Sequence, residues 1–390
     1  MNDLSLILLA AGDSTRFNCE FKKQNLYIDK VPLWLYVANN FKKMYAFKEI
    51  IITCNEPYQY EKLSNDFIFV KGANTRGASI KNALKECTSQ YVMISDVARL
   101  LVKEEVLNNL LLEYKNYDCV FSAIKLVDTL YNYKENKYEN RDDFLLVQTP
   151  QISKVEILKK LNLENYSDES SAFCAAAYKC KWVQGDYNNF KLTFKSDLKK
   201  LKNLNYASAS KDNFIGYGYD VHEFCSSNVG EKLSEKNIND KLILGGICCA
   251  DSKYALKANS DADVLSHAII DAMLGACNLG DIGELFSPDD LSYRKADSIE
   301  LLKIVYKKCK EYGFYLSNLD ISIAAQVPKI NPFKKEIQKN LQEVLKCKNI
   351  NIKATTTERL GFVGRCEGIS VSAVCNMRLF DWSCYEDIDC

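Results

Sequence analysis

Two histidines occur in the 390 residues, His222 and His267, and their neighbours make both candidates for metal chemistry. His222 follows Asp220 by two positions in Phe214–His222, a run that reads as a β-strand, so the two side chains share one face. His267 falls in a helical stretch, Asp261–Cys277, with Asp263 and Asp271 four residues to either side on the same stripe. Asp220, His222 and His267 offer two imidazoles and a carboxylate, a donor set that suits Zn²⁺ and leaves a fourth position open for substrate. A helical histidine beside carboxylates also reads as a salt-bridged surface residue; the strand pair is what favours a metal.

A second group suits phosphate chemistry. The run Leu9-Ala10-Ala11-Gly12-Asp13-Ser14-Thr15-Arg16 follows the opening apolar strand. Its small residues let backbone N–H groups approach a phosphate, and Arg16 adds a fork of donors. Lys22, Lys23 and Gln24 follow closely, placing more positive charge beside the loop. A glycine after a first strand is also simply a tight turn. Asp96 ends another apolar strand, with Arg99 after it, where a carboxylate can organise Mg²⁺ or cap a helix.

The elements that must position these groups divide near residue 210. Residues 1–204 alternate apolar runs (Ser5–Leu9, Glu49–Cys54, Phe67–Val70, Tyr91–Ile94, Cys119–Ala123) with amphipathic stretches (Trp34–Lys43, Ser79–Glu86, Lys103–Tyr114). This pattern predicts an α/β domain with a doubly wound, mostly parallel, Rossmann-like sheet, whose ligands sit at the carboxyl ends of its strands. Residues 205–213 read as a linker. Residues 214–390 carry two long helical patterns, Asp261–Cys277 and Ser298–Tyr312, with strands at Asp320–Ala325, Asn351–Thr355 and Ile369–Met377, which predicts an α+β layer sandwich. Residues 226–241 lack apolar periodicity and read as a loop.

Lys and Arg total 51, as do Asp and Glu, which argues against a nucleic-acid clamp. No run is long enough for a membrane helix. Sixteen scattered cysteines without a C-x-x-C pair read as reduced thiols, so a cytoplasmic location is expected.

The first half resembles the 2-C-methyl-D-erythritol 4-phosphate cytidylyltransferases. The resemblance rests on Leu9–Arg16, Lys23-Gln24, Gly72 with Arg76 and Ser79, Ser95–Arg99, Asp128-Thr129, Gln148–Gln151, Asp168–Ser170 and Lys191–Thr193, in that order. It implies transfer of CMP from CTP to methylerythritol phosphate with loss of pyrophosphate. The loop at Gly12 would bind CTP, Arg16 and Lys23 would stabilise the five-coordinate phosphorus, Asp96 would organise Mg²⁺ or Mn²⁺, and Ser79 would seat the cytosine. Arg141, Thr149 and Lys191 would hold the acceptor phosphate, with Arg141 reaching across a dimer interface. Where that family has proline before the lysine and a His-Asp-Ala-Ala-Arg-Pro run, this chain has Lys22 and Ser95-Asp96-Val97-Ala98-Arg99-Leu100.

The second half resembles 2-C-methyl-D-erythritol 2,4-cyclodiphosphate synthase through Gly216–His222, Leu244–Gly246, Ser260–His267, Asp271, Leu279–Gly283, Ala325–Lys329, Lys353–Glu358 and Gly361–Arg365. The resemblance implies cyclisation of 4-diphosphocytidyl-methylerythritol 2-phosphate with release of CMP. Asp220, His222 and His267 would hold Zn²⁺, with Mg²⁺ or Mn²⁺ bridging the diphosphate. Asp281 and Gly283 resemble the ribose contacts, and Ala325 to Lys329 the cytosine pocket. Thr356 and Glu358 resemble the diphosphate-side contacts; Ser260, Phe362 and Arg365 are expected to contact substrate too. Asn259 stands where the family has histidine, which removes a group able to carry a proton. Together the halves resemble the fused bifunctional enzyme of the non-mevalonate isoprenoid pathway. Trimer contacts in the second half and dimer contacts in the first would permit a hexamer. The alternative is a transferase whose second half mainly oligomerises and binds zinc.

Overall fold

The computed structural model describes residues 3–225, 241–250, 254–257, 260–287 and 296–384. Asn259, residues 226–240 of the expected loop and residues 385–390 lie outside them.

The chain forms two compact units. The first holds the described residues through Ser208 together with Trp382–Cys384, and the second spans Ala209–Asp381. The sequence boundaries place everything after residue 214 in the second unit. Trp382 departs from that division: it is buried, and its indole N–H donates to the Tyr27 carbonyl at 2.7 Å.

The first unit is built on seven strands: β1 Leu4–Leu9, β2 Ile50–Cys54, β3 Ile68–Lys71, β4 Tyr91–Asp96, β5 Cys119–Lys125, β6 Leu145–Lys154 and β7 Cys180–Gln184. Their spatial order is β7-β5-β6-β4-β1-β2-β3. Only β6 runs antiparallel to its neighbours, so the sheet is mostly parallel. Its inner strands β1, β2 and β4 are near-continuous apolar runs because both faces are covered. Helix α1, Leu33–Met44, buries Leu33, Trp34, Val37, Ala38 and Phe41 along one stripe. Helix α2 spans Arg76–Ala83 and starts earlier than the sequence pattern indicates, because the Thr75 hydroxyl caps it by accepting the Ala78 N–H at 3.0 Å. Helix α3 spans Glu104–Glu113, and α4, Glu169–Ala175, opens on an Asp168 capping box.

The second unit has a four-stranded sheet of β8 Phe214–Glu223, β9 Phe314–Ala324, β10 Ile350–Thr355 and β11 Gly368–Leu379, ordered β8-β11-β9-β10. Helices α5, Val264–Ala276, and α6, Ser298–Glu311, supply the packed layer, and α7, Lys334–Leu345, buries Ile337, Leu341 and Leu345. Alternation along β8 is strict. Gly216 and Gly218 are buried toward α5, whereas Ile215, Tyr217, Tyr219 and Val221 are exposed. A Cβ on Gly216 would lie 1.8 Å from the Ala272 carbonyl oxygen, and one on Gly218 2.0 Å from that of Ala268. Glycine therefore lets strand and helix backbones touch.

All cysteines of the described residues are free thiols. No helix among the described residues is long and apolar enough to cross a membrane.

Candidate active sites

In the first unit the parallel strands deliver their carboxyl-end loops to one place. Register sets Leu9 between Thr53 and Asp96, so the loop after β1 and the carboxylate ending β4 are neighbours. They line a cavity of about 290 Å³ together with Gly12, Arg16, Lys23, Arg76, Ser79 and Lys191. The loop is stitched to the next segment: the Gln24 amide donates to the Gly12 carbonyl at 2.9 Å, and the Ser14 hydroxyl both donates to Gln24 at 3.1 Å and accepts the Lys23 N–H at 3.2 Å. Lys22, in place of the proline of the resembled family, is held by Asn55. With its amide turned to satisfy both neighbours, Asn55 accepts from Lys22 Nζ and donates to the Ala11 carbonyl, each at 2.8 Å.

Asp96 is a charge hub rather than a helix cap. Its Oδ2 lies 2.5 Å from Lys191 Nζ and its Oδ1 3.5 Å from Arg76 Nε. Burial pushes this carboxyl up, but Arg76, Lys191 and Arg99 together prevail and bring it down to about 2. Arg76 is held from behind by the buried Glu169, with Nη1–Oε1 at 2.5 Å and Nη2–Oε2 at 3.3 Å. The Lys23 ammonium is pulled down, first by burial and then by the charge of Lys191, with Asp96 opposing and Arg16 adding to the effect. A cavity whose cations repel one another is suited to a polyanion. Lys191 reaches it because the Leu192 N–H donates to the Ala98 carbonyl at 2.8 Å, while buried Asp197 accepts the Thr193 and Phe194 N–H groups at 2.8 and 2.9 Å.

Not every expected residue converges here. The Ser79 hydroxyl donates to the Thr75 carbonyl and accepts the Ala73 N–H, each at 2.9 Å, so it shapes the cavity wall. Thr149 stands behind Asp96, accepting its N–H at 3.2 Å. Arg141 is exposed outside the cavity, its guanidinium donating to the Val127 carbonyl. Arg76, Glu169 and Asp197 complete the site without having been assigned a role from sequence.

In the second unit β8, β9 and β10 run parallel, and β11 is antiparallel to β8 and β9. The carboxyl ends of the first three and the start of β11 therefore share one edge. That edge carries Asp220 and His222, Ala325 to Lys329, Thr356 with Glu358, and Phe362 with Arg365. The close approach of α5 to β8 brings His267 beside the strand pair. One ligand atom from each of Asp220, His222 and His267 lies within 4.8 Å of the others, the one such cluster among the described residues. Asp220 Oδ2 lies 3.1 Å from His267 Nδ1 and 3.3 Å from His222 Nδ1. The buried His222 Nδ1 nevertheless makes no hydrogen bond. Burial pushes Asp220 up, but the two imidazoles win and hold it well below the ordinary range; burial pulls His267 down, and Asp220 raises it on balance. An orphaned nitrogen, a second nitrogen and a carboxylate oxygen around one point fit a divalent cation.

The expected helical stripe is corrected. Helix α5 begins at Val264, with Asp263 as its N-cap. The buried Asp263 carboxylate accepts the N–H groups of Gly245, Gly246, Leu265 and Ser266, and Asp271 accepts that of Ile282 at 2.9 Å. Both carboxylates are thus spent on backbone N–H groups and, for Asp263, on the Ser266 hydroxyl at 2.8 Å, and not on His267. Asp281 caps the helix Ile282–Leu285, accepting the Glu284 N–H, and Gly283 lies within that helix. Thr356 donates to Glu358 at 2.9 Å, and Arg365 pairs with Glu367 at 2.8 Å. Asp281, Gly283, Lys329, Thr356, Glu358 and Arg365 are exposed, and Phe362 is half-buried. Ser260 Oγ lies 3.3 Å from His267 Nε2.

Comparison with known proteins matches residues 4–204 to the 2-C-methyl-D-erythritol 4-phosphate cytidylyltransferase family and residues 214–378 to the YgbB family. The chain is 44% identical over 388 residues to a bifunctional enzyme IspD/IspF of Campylobacter jejuni, covering 98% of this chain and all of that one. It is 45% identical over 386 residues to that of Campylobacter lari, covering 98% and 99%. The solved structure of the bifunctional IspDF from Campylobacter jejuni superposes with a TM-score of 0.86 at 43% identity, covering 98% of this chain and all of that chain.

Proposed function

This chain belongs to the family of bifunctional IspD/IspF enzymes, and from that premise we propose how its own residues divide the work. It is a cytidylyltransferase and a cyclodiphosphate synthase of isoprenoid precursor synthesis in one polypeptide. The observation that carries the assignment is that each unit holds its own polar cluster: a cationic cavity in one, an Asp-His-His group in the other.

In the first reaction the 4-phosphate oxygen of methylerythritol phosphate attacks the α-phosphorus of CTP. A P–O bond forms, the bond to the bridging β-phosphate oxygen breaks, and pyrophosphate leaves with the electron pair. Such a displacement needs positioning and cations more than a side-chain nucleophile. Arg16 and Lys23 face the triphosphate from the loop at Gly12, and the triphosphate's charge relieves the repulsion from Lys191 and Arg16 that adds to burial in lowering Lys23. Lys191 passes between Asp96 and the acceptor phosphate, with Thr149 and a neighbouring copy's Arg141 as further contacts. Ser79 forms the cytosine-side wall. Asp96 would organise Mg²⁺ or Mn²⁺, which neutralises phosphate charge when bound.

In the second reaction the 2-phosphate oxygen attacks the β-phosphorus, the bond to the bridging oxygen breaks and CMP leaves. Asp220 Oδ2, His222 Nδ1 and His267 Nδ1 would hold Zn²⁺, which when bound supplies a Lewis acid and template for a phosphate oxygen. Ser260, Thr356 and Glu358 contact the diphosphate side, Asp281 and Gly283 the ribose, Lys329 the cytosine, and Phe362 and Arg365 the rest of the substrate. The exposure of Asp281, Gly283, Lys329, Thr356, Glu358 and Arg365 in a single chain fits sites completed by a second copy.

The exposed strip Ile215, Tyr217, Tyr219 and Val221 on β8 supports three-fold packing of the second unit. Around the hairpin Leu130–Asn132/Lys137–Glu139, exposed Tyr131, Tyr133, Tyr138 and Phe144 support a two-fold contact of the first. Combining them closes a hexamer. Free thiols among the described residues fit a cytoplasmic enzyme. The functional test supplies purified chain with CTP and methylerythritol phosphate, and separately with the phosphorylated diphosphocytidyl intermediate. Pyrophosphate from the first and CMP from the second are expected; failure of either overturns the corresponding half.

A further inference from the structure

His267 has two ring nitrogens, and only Nδ1 faces Asp220. Nε2 lies 3.0 Å from the hydroxyl of Ser298, the first residue of α6. Ser298 is fully buried, and its hydroxyl donates to Asp261 Oδ1. Asp261 is itself fixed: its Oδ2 accepts the Ser298 N–H at 3.1 Å and its Oδ1 the Asp263 N–H at 3.3 Å. A serine hydroxyl has one proton, and an ionised carboxylate only accepts. With that proton committed to Asp261, the Ser298 lone pairs face Nε2, which must then carry the hydrogen. The Ser260 hydroxyl is also near, but at a longer 3.3 Å, and it accepts the Ala262 N–H.

We propose that Ser298 and Asp261 form a positioning relay that holds His267 in its Nε2–H tautomer and so presents a bare Nδ1 to the metal. Neither residue belongs to the Asp220, His222 and His267 cluster. They act through the imidazole, fixing its tautomer, ring orientation and basicity in the manner of outer partners of metal-binding histidines. The relay also links ligand geometry to fold, because its hydroxyl begins α6 while the histidine rides on α5.

The inference rests on the metal reading above, and the test separates the two. Metal-free full-length chain is titrated with Zn²⁺ against a coloured chelator, comparing wild type, Ser298→Ala and Ser298→Thr. Wild type is expected to bind one Zn²⁺ per chain, Ser298→Ala about ten- to a hundredfold more weakly, and Ser298→Thr, which restores the hydroxyl, close to wild type. Isotope-labelled histidine spectra, simple with two imidazoles, should show Nε2–H at His267 in wild type and a tautomer mixture in Ser298→Ala. Circular dichroism and thermal unfolding of each full-length variant against wild type check that the second unit is folded, since pyrophosphate release reports only the first. No stoichiometric zinc in wild type overturns the metal reading. Zinc in wild type with unchanged affinity and tautomer in Ser298→Ala overturns the relay alone. If Ser298→Ala fails to fold, Ser298→Thr decides: the relay requires wild-type affinity and tautomer from it, and weakening as large as that expected of Ser298→Ala overturns the proposal.

Discussion

Replacing Gly218 by alanine tests how the second unit assembles its Asp220, His222 and His267 cluster. The new Cβ would sit 2.0 Å from the Ala268 carbonyl oxygen and 2.7 Å from the Ala272 nitrogen, where ordinary contact begins at 3.4 Å. Both obstacles are backbone of the middle of α5, so no side chain can swing aside and strand and helix must part by roughly 1 Å or more. Overpacking of this kind costs about 1–3 kcal/mol, and a rigid obstacle places it at the upper end. The functional effect is larger than the stability effect. His267 directly precedes Ala268, whereas Asp220 and His222 ride on β8, so the displacement separates ligands whose metal distances tolerate only about 0.2 Å. Zinc affinity should fall at least about tenfold, equivalent to about 1.4 kcal/mol, and CMP release should fall with it while pyrophosphate release persists. Chelator competition reads the first and product assays the other two. Zinc affinity and CMP release unchanged in Gly218→Ala would refute the reasoning that backbone contact sets the cluster.

Three further outcomes are expected. Glu169→Gln leaves half-buried Arg76 with Asp96, at 3.5 Å, as its remaining carboxylate partner and should cost about 3 kcal/mol of first-unit stability; tryptophan fluorescence reports that unit selectively, since Trp34, Trp182 and Trp382 all lie in it, and a loss under about 1 kcal/mol would contradict the contribution of this ion pair. For Asp197, burial raises the carboxyl, but the Phe194 N–H, Lys200 and the Thr193 N–H bring it below the ordinary 3.8. Its stabilisation is therefore complete above 3.8 and is lost as pH falls through the lowered value; the same fluorescence unfolding, repeated across that range, should show a shallower acid dependence in Asp197→Asn, and an identical slope would count against the assignment. Asn259→His should raise CMP release roughly ten- to a hundredfold by restoring a chargeable hydrogen-bond donor to phosphate; an unchanged rate would show that the asparagine suffices.

Much of this arrangement is legible in the sequence, for reasons that differ by element. The strands β1, β2 and β4 read clearly because burial on both faces leaves uninterrupted apolar runs, and the Asp-x-His spacing on β8 fixes a shared face by the period of a strand. β6 escaped because Pro150 interrupts it, and its register with β5 shifts between Val147 and Gln151. β7, Cys-Lys-Trp-Val-Gln, is a short, mostly exposed edge strand, and α7 scatters four apolar residues, three of them buried, among polar and charged ones. Helix starts moved because caps set them: Thr75 and Asp263 accept hydrogen bonds that no hydrophobic period encodes. That same cap turned Asp263 away from His267. The partners of site residues were the least legible, since Arg76 and Glu169 meet across 93 positions and Ser298 reaches His267 across 31.

The division into two independent chemistries is tested most directly by measuring pyrophosphate and CMP release side by side in wild type, Lys191→Ala and His267→Ala. Lys191→Ala should lose pyrophosphate release by about a hundredfold or more and keep CMP release, and His267→Ala should show the reverse. Loss of both products from either substitution, or of neither, would contradict the assignment of one reaction to each cluster.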